Sequence, residues 1–134
     1  MTPQAQVTAL LCCALGDAVS PLTAAQSKQV LLRLERAGVR DLPRTVSAAE
    51  LAALGLPAEL AARVAALLDR PDALRRIARG IAPLSILTQS EPEFPARLRR
   101  LGAECPPVLF CRGDAALLQT RCVALAVSYT HLRA

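Results

Sequence analysis

The chain has 134 residues, 53% of them hydrophobic and 20% charged, with a formal net charge of +5. This length allows one domain, or one small domain and the beginning of another. The hydrophobic fraction is sufficient for a buried core, which excludes a chain that is disordered throughout. The 16 basic residues are arginines apart from Lys28. They permit a polyanionic partner, although moderate basicity is also common in proteins that bind none.

Five cysteines are spread along the chain, at Cys12, Cys13, Cys105, Cys111 and Cys122. No two of them have the C-x-x-C spacing typical of zinc sites, so we expect no metal and no other cofactor. An odd cysteine count without a secretory leader predicts free thiols in a reducing cytoplasm. No apolar run approaches the roughly 20 residues of a membrane-spanning helix. We therefore expect a soluble cytoplasmic chain without membrane contact.

Residues 1–80 have the apolar spacing of short amphipathic helices. Two capping boxes, Thr23–Gln26 and Ser47–Glu50, each mark the start of a helix. Glycine, which commonly ends helices, follows three of the segments, at Gly16, Gly38 and Gly55. The pattern predicts five helices in a compact all-α bundle of the SAM or helix-hairpin-helix type, with a boundary near Gly80–Pro83.

The segment Leu54-Gly55-Leu56-Pro57 joins two of these helices and resembles the turn of a helix-hairpin-helix. The backbone amides of such a turn can bind a DNA phosphate. That motif carries two glycines, however, and this chain has one. An ordinary helix–helix turn explains the same residues, so both interpretations stay open.

Residues 81–127 are predicted to begin an α/β sheet. Apolar runs at 84–88, 108–111 and 122–126 have the length of buried strands, and short helical segments separate them. Buried strands that alternate with helices are typical of a parallel sheet. The predicted fold class is therefore α/β, with the all-α bundle at 1–80 followed by the first strands of a Rossmann-like parallel sheet at 81–127.

Three sequence blocks in this second part resemble one protein family. Glu93-Phe94-Pro95-Ala96-Arg97-Leu98 is similar to a D-x-YP-x-x-L turn and helix, and residues 106–114, PPVLFCRGD, are similar to a PP-V-L-F-x-x-G-D/N strand. Val123-Ala124-Leu125-Ala126 is similar to the opening of a V-A-I-V-G-S/T-R strand and phosphate loop. In this order and spacing, the blocks resemble the DNA-processing protein A family (DprA or Smf).

The resemblance implies a Rossmann-like domain that binds single-stranded DNA without sequence preference and forms homodimers. It also implies a mediator that protects incoming DNA and loads a RecA-type recombinase during natural transformation, without a chemical step. Where the family has Gly-Ser-Arg or Gly-Thr-Arg, this chain has Val127-Ser128-Tyr129. We expect residues 128–134 to be a non-native tail and the chain to be an N-terminal fragment that binds DNA poorly.

Three arginines are candidate nucleic-acid contacts: Arg112, Arg97 and Arg100. Arg112 ends the second predicted strand, and ligands of open α/β sheets gather beyond the carboxyl ends of strands. Arg97 and Arg100 belong to a predicted basic helix surface, and Arg75, Arg76 and Arg79 form a second one. Each could equally be an ordinary solvent-exposed helix face that binds nothing. We expect Phe94 to pack against the sheet and Phe110 to lie in the core. No aromatic platform for single-strand binding is therefore predicted.

No nucleophile–base pair, Walker A loop or complete G-x-G-x-x-G motif occurs, so we do not expect an enzyme. Two other functions remain open. One is a nucleotide-binding Rossmann-type enzyme similar to a phosphoribohydrolase, which a downstream glycine-rich loop with paired Glu and Arg would favour. The other is a stand-alone helical interaction module, in which residues 1–80 would fold by themselves.

Overall fold

The computed structural model describes residues 2–39, 42, 45–81, 84–123 and 125–127. Within these ranges the chain is mixed α and β, with short 3₁₀ helices at Gly102–Glu104 and Ala115–Gln119. The other elements are, in chain order, α1 (Pro3–Cys12), α2 (Ala24–Arg36), α3 (Ala48–Ala53), α4 (Ala58–Leu68), α5 (Ala73–Ile81), β1 (Ser85–Thr88), α6 (Ala96–Arg99) and β2 (Val108–Cys111). Among the described residues, no helix is long and apolar enough to cross a membrane.

Both predicted capping boxes are confirmed. At the start of α2, the Thr23 hydroxyl accepts the Gln26 N–H at 3.3 Å, and the Gln26 side chain accepts the Thr23 N–H at 3.1 Å. Ser47 and Glu50 form the same reciprocal pair at the start of α3, at 3.1 and 3.0 Å. Each box satisfies two backbone donors that a helix start otherwise leaves unpaired.

The predicted ends of α2 and α3 are confirmed, and that of α1 is wrong. Gly38 and Gly55 follow α2 and α3 with φ of 70° and 84°, a left-handed backbone that glycine adopts without steric cost. α1 instead ends at Cys12, because Cys13 is already extended with φ −85° and ψ 127°. Gly16 lies in the bend that follows.

The two strands pair antiparallel, so the predicted parallel arrangement of these runs is wrong. Ser85 is opposite Cys111 and Thr88 is opposite Val108. A parallel crossover needs a connection that carries the chain back along the sheet, usually a full α-helix. The connection here contains only α6, a single turn, and a 3₁₀ helix. The chain therefore reverses direction between the strands.

The predicted third strand at 122–126 is also wrong in the part of the run that the structure describes. Residues 122, 123 and 125–127 have no regular structure, and the side chains of Val123 and Leu125 are 96% and 94% exposed. An apolar run becomes a strand only when it finds a pairing partner and a face to cover. Of the two residues that depart from the family's phosphate loop, Val127 is exposed, whereas Tyr129 and the rest of the predicted tail 128–134 lie outside the described residues.

The helical part has one main core. Its largest fully buried side chains are Val30, Leu11, Leu51, Val64 and Leu67, contributed by α1 to α4. The four residues that the α4 pattern predicted to be inward, Leu60, Val64, Leu67 and Leu68, are all buried.

A smaller cluster joins the helices to the sheet. Ala9 and Cys13 from the α1 region and Ile77 from α5 pack against Ile86 of β1 and Val108 of β2. The opposite face of the sheet covers a third cluster made by Leu87, Phe94 and Cys105. The predicted domain boundary near residue 80 includes Ala82 and Pro83, which lie outside the described residues, and it stays a prediction.

An ion-pair cluster fixes the loop after α1. Asp17 accepts from Arg70 Nη1 at 3.1 Å and from Arg76 Nη1 at 2.7 Å. The same guanidinium groups donate to the carbonyl oxygens of Leu10 and Leu15. The hydrogen bonds from Arg76 and Arg70 hold the pKa of Asp17 below its ordinary value. We call this set the Asp17 clamp.

We expect the Leu51→Ala substitution to lower the free energy of unfolding by about 2–5 kcal/mol, the range for deleting a buried leucine side chain. Leu51 is fully buried, whereas Leu32 on the outer face of α2 is 43% exposed. The matched Leu32→Ala variant should stay within about 0.5 kcal/mol of the unmodified protein. Urea unfolding followed by circular dichroism measures both. Equal effects of the two substitutions would contradict the core described here.

We expect the Asp17 clamp to stabilise the protein at neutral pH and to fail in acid. Because the folded-state pKa is lowered, the stabilisation is present above the ordinary Asp pKa of about 3.9 and is lost as the pH falls through the folded value. Asp17→Asn should lower the unfolding midpoint at pH 7 and flatten its dependence on pH below 4. Asp72→Asn, which removes a more exposed partner of Arg75, is the control and should change the midpoint less.

Candidate nucleic-acid interface

The candidate arginines Arg97 and Arg100 lie on and just after α6. This helix begins after Pro95, whose φ of −59° suits a helix start. Successive residues of a helix are rotated by about 100°, so neighbouring side chains leave a single turn in different directions. The three arginines Arg97, Arg99 and Arg100 therefore have different surroundings.

Arg97 is exposed, but its guanidinium is hydrogen-bonded to other parts of the chain. Its Nη2 donates to the carbonyl oxygen of Leu118 at 2.8 Å and to that of Thr120, and it lies 3.6 Å from Cys122 Sγ. These contacts fasten α6 to the 3₁₀ helix Ala115–Gln119 and to the chain that follows it. The hydrogen bonds of Arg97 thus stabilise the structure, a role that the sequence did not indicate.

Arg99 is engaged in the same way on the other side of α6. Its Nε donates to the Gln89 carbonyl at 3.2 Å, and its Nη2 donates to the Glu91 carbonyl. The guanidinium also lies over the ring of Phe94, 5.5 Å from its centroid. Phe94 is fully buried against β1, which confirms its predicted packing. Arg99 therefore stabilises the turn after β1.

Arg100 and Arg112 differ from both. Each is exposed, and neither makes a hydrogen bond or an ion pair with another residue in the part of the chain that the structure describes. Arg112 immediately follows β2 and precedes Gly113, whose φ is 96°. The argument that placed Arg112 at the carboxyl edge of a parallel sheet does not hold, because β2 ends beside the start of β1. Its exposure is what keeps it a candidate.

A shallow cleft adjoins Arg112. Its volume is about 290 Å³, and it is lined by Leu98, Leu109, Phe110, Cys111, Arg112, Asp114, Ala115 and Leu118. As predicted, Asp114 caps the following helix, here a 3₁₀ helix, by accepting the Ala116 N–H at 2.9 Å. We call this cleft the β2 cleft; Leu109 and Cys111 face the same cluster as Leu98 and Leu118, whereas the Phe110 side chain leaves β2 on the opposite face, with Val108.

Phe110 is not a core residue, contrary to the prediction. Its side chain is 50% exposed. β2 pairs with β1 on one side, and among the described residues no strand pairs with its other side. The apolar run 108–111 looked like a buried strand because its composition does not reveal which neighbours are present. The structure therefore presents an aromatic ring two residues from an unpaired arginine, a combination that sequence reasoning missed.

The α5 arginines are divided in the same manner. Arg75 forms an ion pair with Asp72, and Arg76 belongs to the Asp17 clamp. Arg79 is exposed and has no hydrogen bond or ion pair within the described ranges. The predicted basic face of α5 therefore keeps one unpaired guanidinium.

The turn between α3 and α4 does not present free amides. The N–H groups of Leu54, Gly55 and Leu56 all donate to carbonyl oxygens of α3, and Arg33 Nη1 donates to the Leu54 carbonyl at 3.4 Å. A phosphate would have to displace these bonds. No side chain caps the first N–H groups of α4, however, so the helix-hairpin-helix interpretation and that of an ordinary helix–helix turn both stay open.

No group of His, Cys, Asp and Glu suited to a metal ion occurs among the described residues. All five cysteines are free thiols there. No family model, curated protein or solved structure matches the chain. The family assignment therefore stays a prediction.

We expect the cysteines to react with a thiol reagent at pH 8 in order of exposure. Cys122 is exposed and should react first, followed by the half-buried Cys111. Burial raises the pKa of Cys12 to about 11, and burial also raises the pKa of Cys13 and of Cys105, so these three should react slowly. Absorbance on adding Ellman's reagent follows the phases. Cys122→Ser should remove only the fastest phase, and an unchanged fast phase would contradict the assignment.

Proposed function

We propose that this chain is part of a single-stranded DNA-binding recombination mediator of the DprA type. Such a protein protects incoming DNA and loads a RecA-type recombinase onto it. The order of the three resembling blocks between residues 86 and 127 supports the proposal. The distribution of unpaired arginines supports it independently of the resemblance.

The observation that carries the proposal is the state of Arg112. A guanidinium without a carboxylate or carbonyl partner keeps its donors for a ligand, and its planar fork matches two oxygens of a phosphate. Arg112 and Arg100 have no such partner among the described residues, whereas Arg97 and Arg99 donate to backbone carbonyl oxygens. Arg112 and Arg100 are therefore the proposed phosphate contacts, and Arg97 is assigned the structural role.

The proposed mechanism is electrostatic, with no bond made or broken. Each arginine that neutralises a phosphate releases a counterion, so affinity falls with salt. Few unpaired arginines predict weak binding, in the range of about 10⁻⁴ to 10⁻⁶ M that is typical of non-specific complexes. The backbone contacts carry no sequence preference.

In the proposed protein, β1 and β2 belong to a larger Rossmann-like sheet that also supports a homodimer. Two features are consistent with this. β2 keeps one side without a paired strand among the described residues, and the apolar side chains of Val123 and Leu125, which come after the 3₁₀ helix Ala115–Gln119, are exposed. An exposed strand edge and an uncovered apolar run are unfavourable in water and favour further pairing.

We expect the chain to bind a fluorescein-labelled oligothymidylate, with Arg112→Gln and Arg100→Gln each weakening binding at low salt. Removing one phosphate contact should reduce the slope of log K against log salt by about 0.7. Fluorescence anisotropy at several salt concentrations measures both quantities. Arg75→Gln, whose guanidinium pairs with Asp72, changes the net charge equally and is the control; its slope should stay that of the unmodified chain.

Three results would count against the proposal. The first is no affinity of the unmodified chain for the strand at low salt, and the second is a loss of affinity in Arg75→Gln equal to that in Arg112→Gln. A recombinase test adds the third. If the chain neither binds a RecA-type recombinase nor speeds its assembly on single-stranded DNA, the loading function fails even where DNA binding holds.

A further inference from the structure

We infer that the free edge of β2 is a docking surface for the same edge of a second copy of this chain. The two copies would join their two-stranded sheets into one continuous antiparallel sheet, with Val108 of each β2 opposite Phe110 of the other. The inference goes beyond the proposed function and does not need it, because this contact would form whether or not the chain binds DNA.

The backbone groups of β2 that point away from β1 are free. In an antiparallel pair, residues whose N–H and C=O groups bond to the partner strand alternate with residues whose groups point away from it. The Gln89 N–H donates to the Pro107 carbonyl oxygen at 3.3 Å, so in this register Leu109 also bonds to β1. Val108 and Phe110 therefore direct their N–H and C=O groups to the open side, where neither has a partner among the described residues.

The outer edge of β1 is different, because its own turn occupies it in part. The Thr88 N–H donates to the Glu91 carboxylate at 2.8 Å, and the Thr88 carbonyl oxygen accepts the Glu91 N–H at 3.0 Å. On the β2 edge, no described residue satisfies the backbone in this way. Nor does β2 contain a charge or a proline, two of the devices that keep natural edge strands from pairing. The edge most open to a further strand is therefore that of β2.

This edge is complementary to itself in one register. When two copies of β2 run antiparallel with Val108 opposite Phe110, each free N–H meets a free C=O of the other copy. A shift that puts Val108 opposite Val108 leaves Phe110 opposite Pro106, which has no N–H to donate. A shift that puts Phe110 opposite Phe110 requires Arg112, which lies outside β2. The edge therefore selects an identical, twofold-related partner, as in an isologous dimer.

The side chains favour the same pairing. Phe110 is 50% exposed, and Val108 leaves β2 on the same face of the sheet. An aromatic residue directly opposite a β-branched one forms a favourable cross-strand pair, so the valine of each copy would cover the ring of the other. The uncharged strand matches the charge-depleted centre of protein–protein interfaces. The two Arg112 residues would lie about 20 Å apart, at opposite ends of the pairing, where salt screens their repulsion.

The length of β2 limits the strength of the contact. A strand of four residues gives a small interface, and small interfaces are weak and transient. We therefore expect a reversible dimer that forms as the concentration rises. The chain's own apolar run at 122–127 is a poorer occupant of the edge, because Arg97 Nη2 donates to the Thr120 carbonyl oxygen and holds the beginning of that run beside α6.

Sedimentation velocity of the full chain tests the dimer. The weight-average mass should rise with concentration from one chain mass towards two. Phe110→Lys places on the edge a charge of the kind that protects natural edge strands, and should stay at one chain mass over the same range. Leu101→Lys changes the charge equally at a side chain that is also 50% exposed but lies outside β2, and should dimerise like the unmodified chain. Circular dichroism should show that both variants fold.

Disulfide trapping tests the register, in a Cys122→Ser chain that lacks the exposed thiol. Leu109 would lie opposite its own counterpart, in a pair without hydrogen bonds between the copies and with Cα atoms about 4.5 Å apart. Leu109→Cys should therefore link the two copies on mild oxidation, because this distance suits a disulfide. Val108→Cys and Phe110→Cys would lie more than about 7 Å from their counterparts, and should form no more linked dimer than the Cys122→Ser chain.

Several results would overturn the inference. One is a constant mass of one chain at all concentrations, and another is a dimer that persists in Phe110→Lys, since a different surface would then join the copies. Linking through Val108→Cys or Phe110→Cys in place of Leu109→Cys would overturn the register. Protection of the Val108 and Phe110 amide hydrogens from exchange in the dilute monomer would identify a segment of the same chain as the occupant, and would overturn the inference as well.

Anisotropy of the labelled oligothymidylate separates this inference from the proposed function. A chain that dimerises through β2 and binds no strand supports the inference and contradicts the proposed DNA binding. A chain that binds the strand and stays monomeric at all concentrations contradicts the inference and leaves the proposed DNA binding in place.

Discussion

The burial of α1 is the constraint on which the rest of the structure depends. The ten residues of this helix include no charged side chain, and Ala5, Ala9, Leu10 and Leu11 are almost completely inaccessible. A helix that is apolar around most of its circumference must be covered on several sides. α2, α4, α5 and both strands contact it. Even Thr8 is buried, where its hydroxyl donates to the Gln4 carbonyl at 2.9 Å.

The position of α1 ties the helical part to the sheet. Ala9 and Cys13 belong to the cluster that includes Ile86 and Val108, so one face of the two-stranded sheet is covered by helices. An isolated two-stranded sheet is marginal in water and needs such packing. Because the helices cover Val108 but leave Phe110 half exposed, the same arrangement determines where an aromatic ring reaches solvent.

The arginines of this protein fall into two groups. Some are hydrogen-bonded within the protein and stabilise it, and others have no internal partner and are proposed to contact DNA. Arg70 and Arg76 close the loop after α1, and Arg97 and Arg99 fasten the segments on either side of α6. Each of them uses donors that a phosphate would otherwise receive. The net charge of +5 therefore overstates the basic surface that is open to a polyanion. A shorter set of unpaired guanidinium groups carries the proposed DNA contact, which is why weak binding is expected.

The sequence by itself determined those features that depend only on residues close together in the chain, namely helix caps, helix ends and the buried face of a helix. The capping boxes at Thr23 and Ser47 and the glycines after α2 and α3 act within a few residues, so their signals are complete in the sequence. The periodicity of α4 identified its buried face for the same reason. These features fixed where α2 and α3 begin and end, and which side of α4 faces the core.

Only the tertiary structure decided how distant segments meet. The direction of β2 relative to β1 follows from the path of the connection, and apolar composition does not encode strand direction. Asp17 and Arg76 are 59 residues apart, so no spacing rule reveals that they pair. The same holds for Arg97, whose partners lie beyond β2, and for Phe110, whose exposure depends on which segments cover its face of the sheet. Long-range packing therefore determines which arginines are left without a hydrogen bond or ion pair. Only those side chains keep their donors for a ligand.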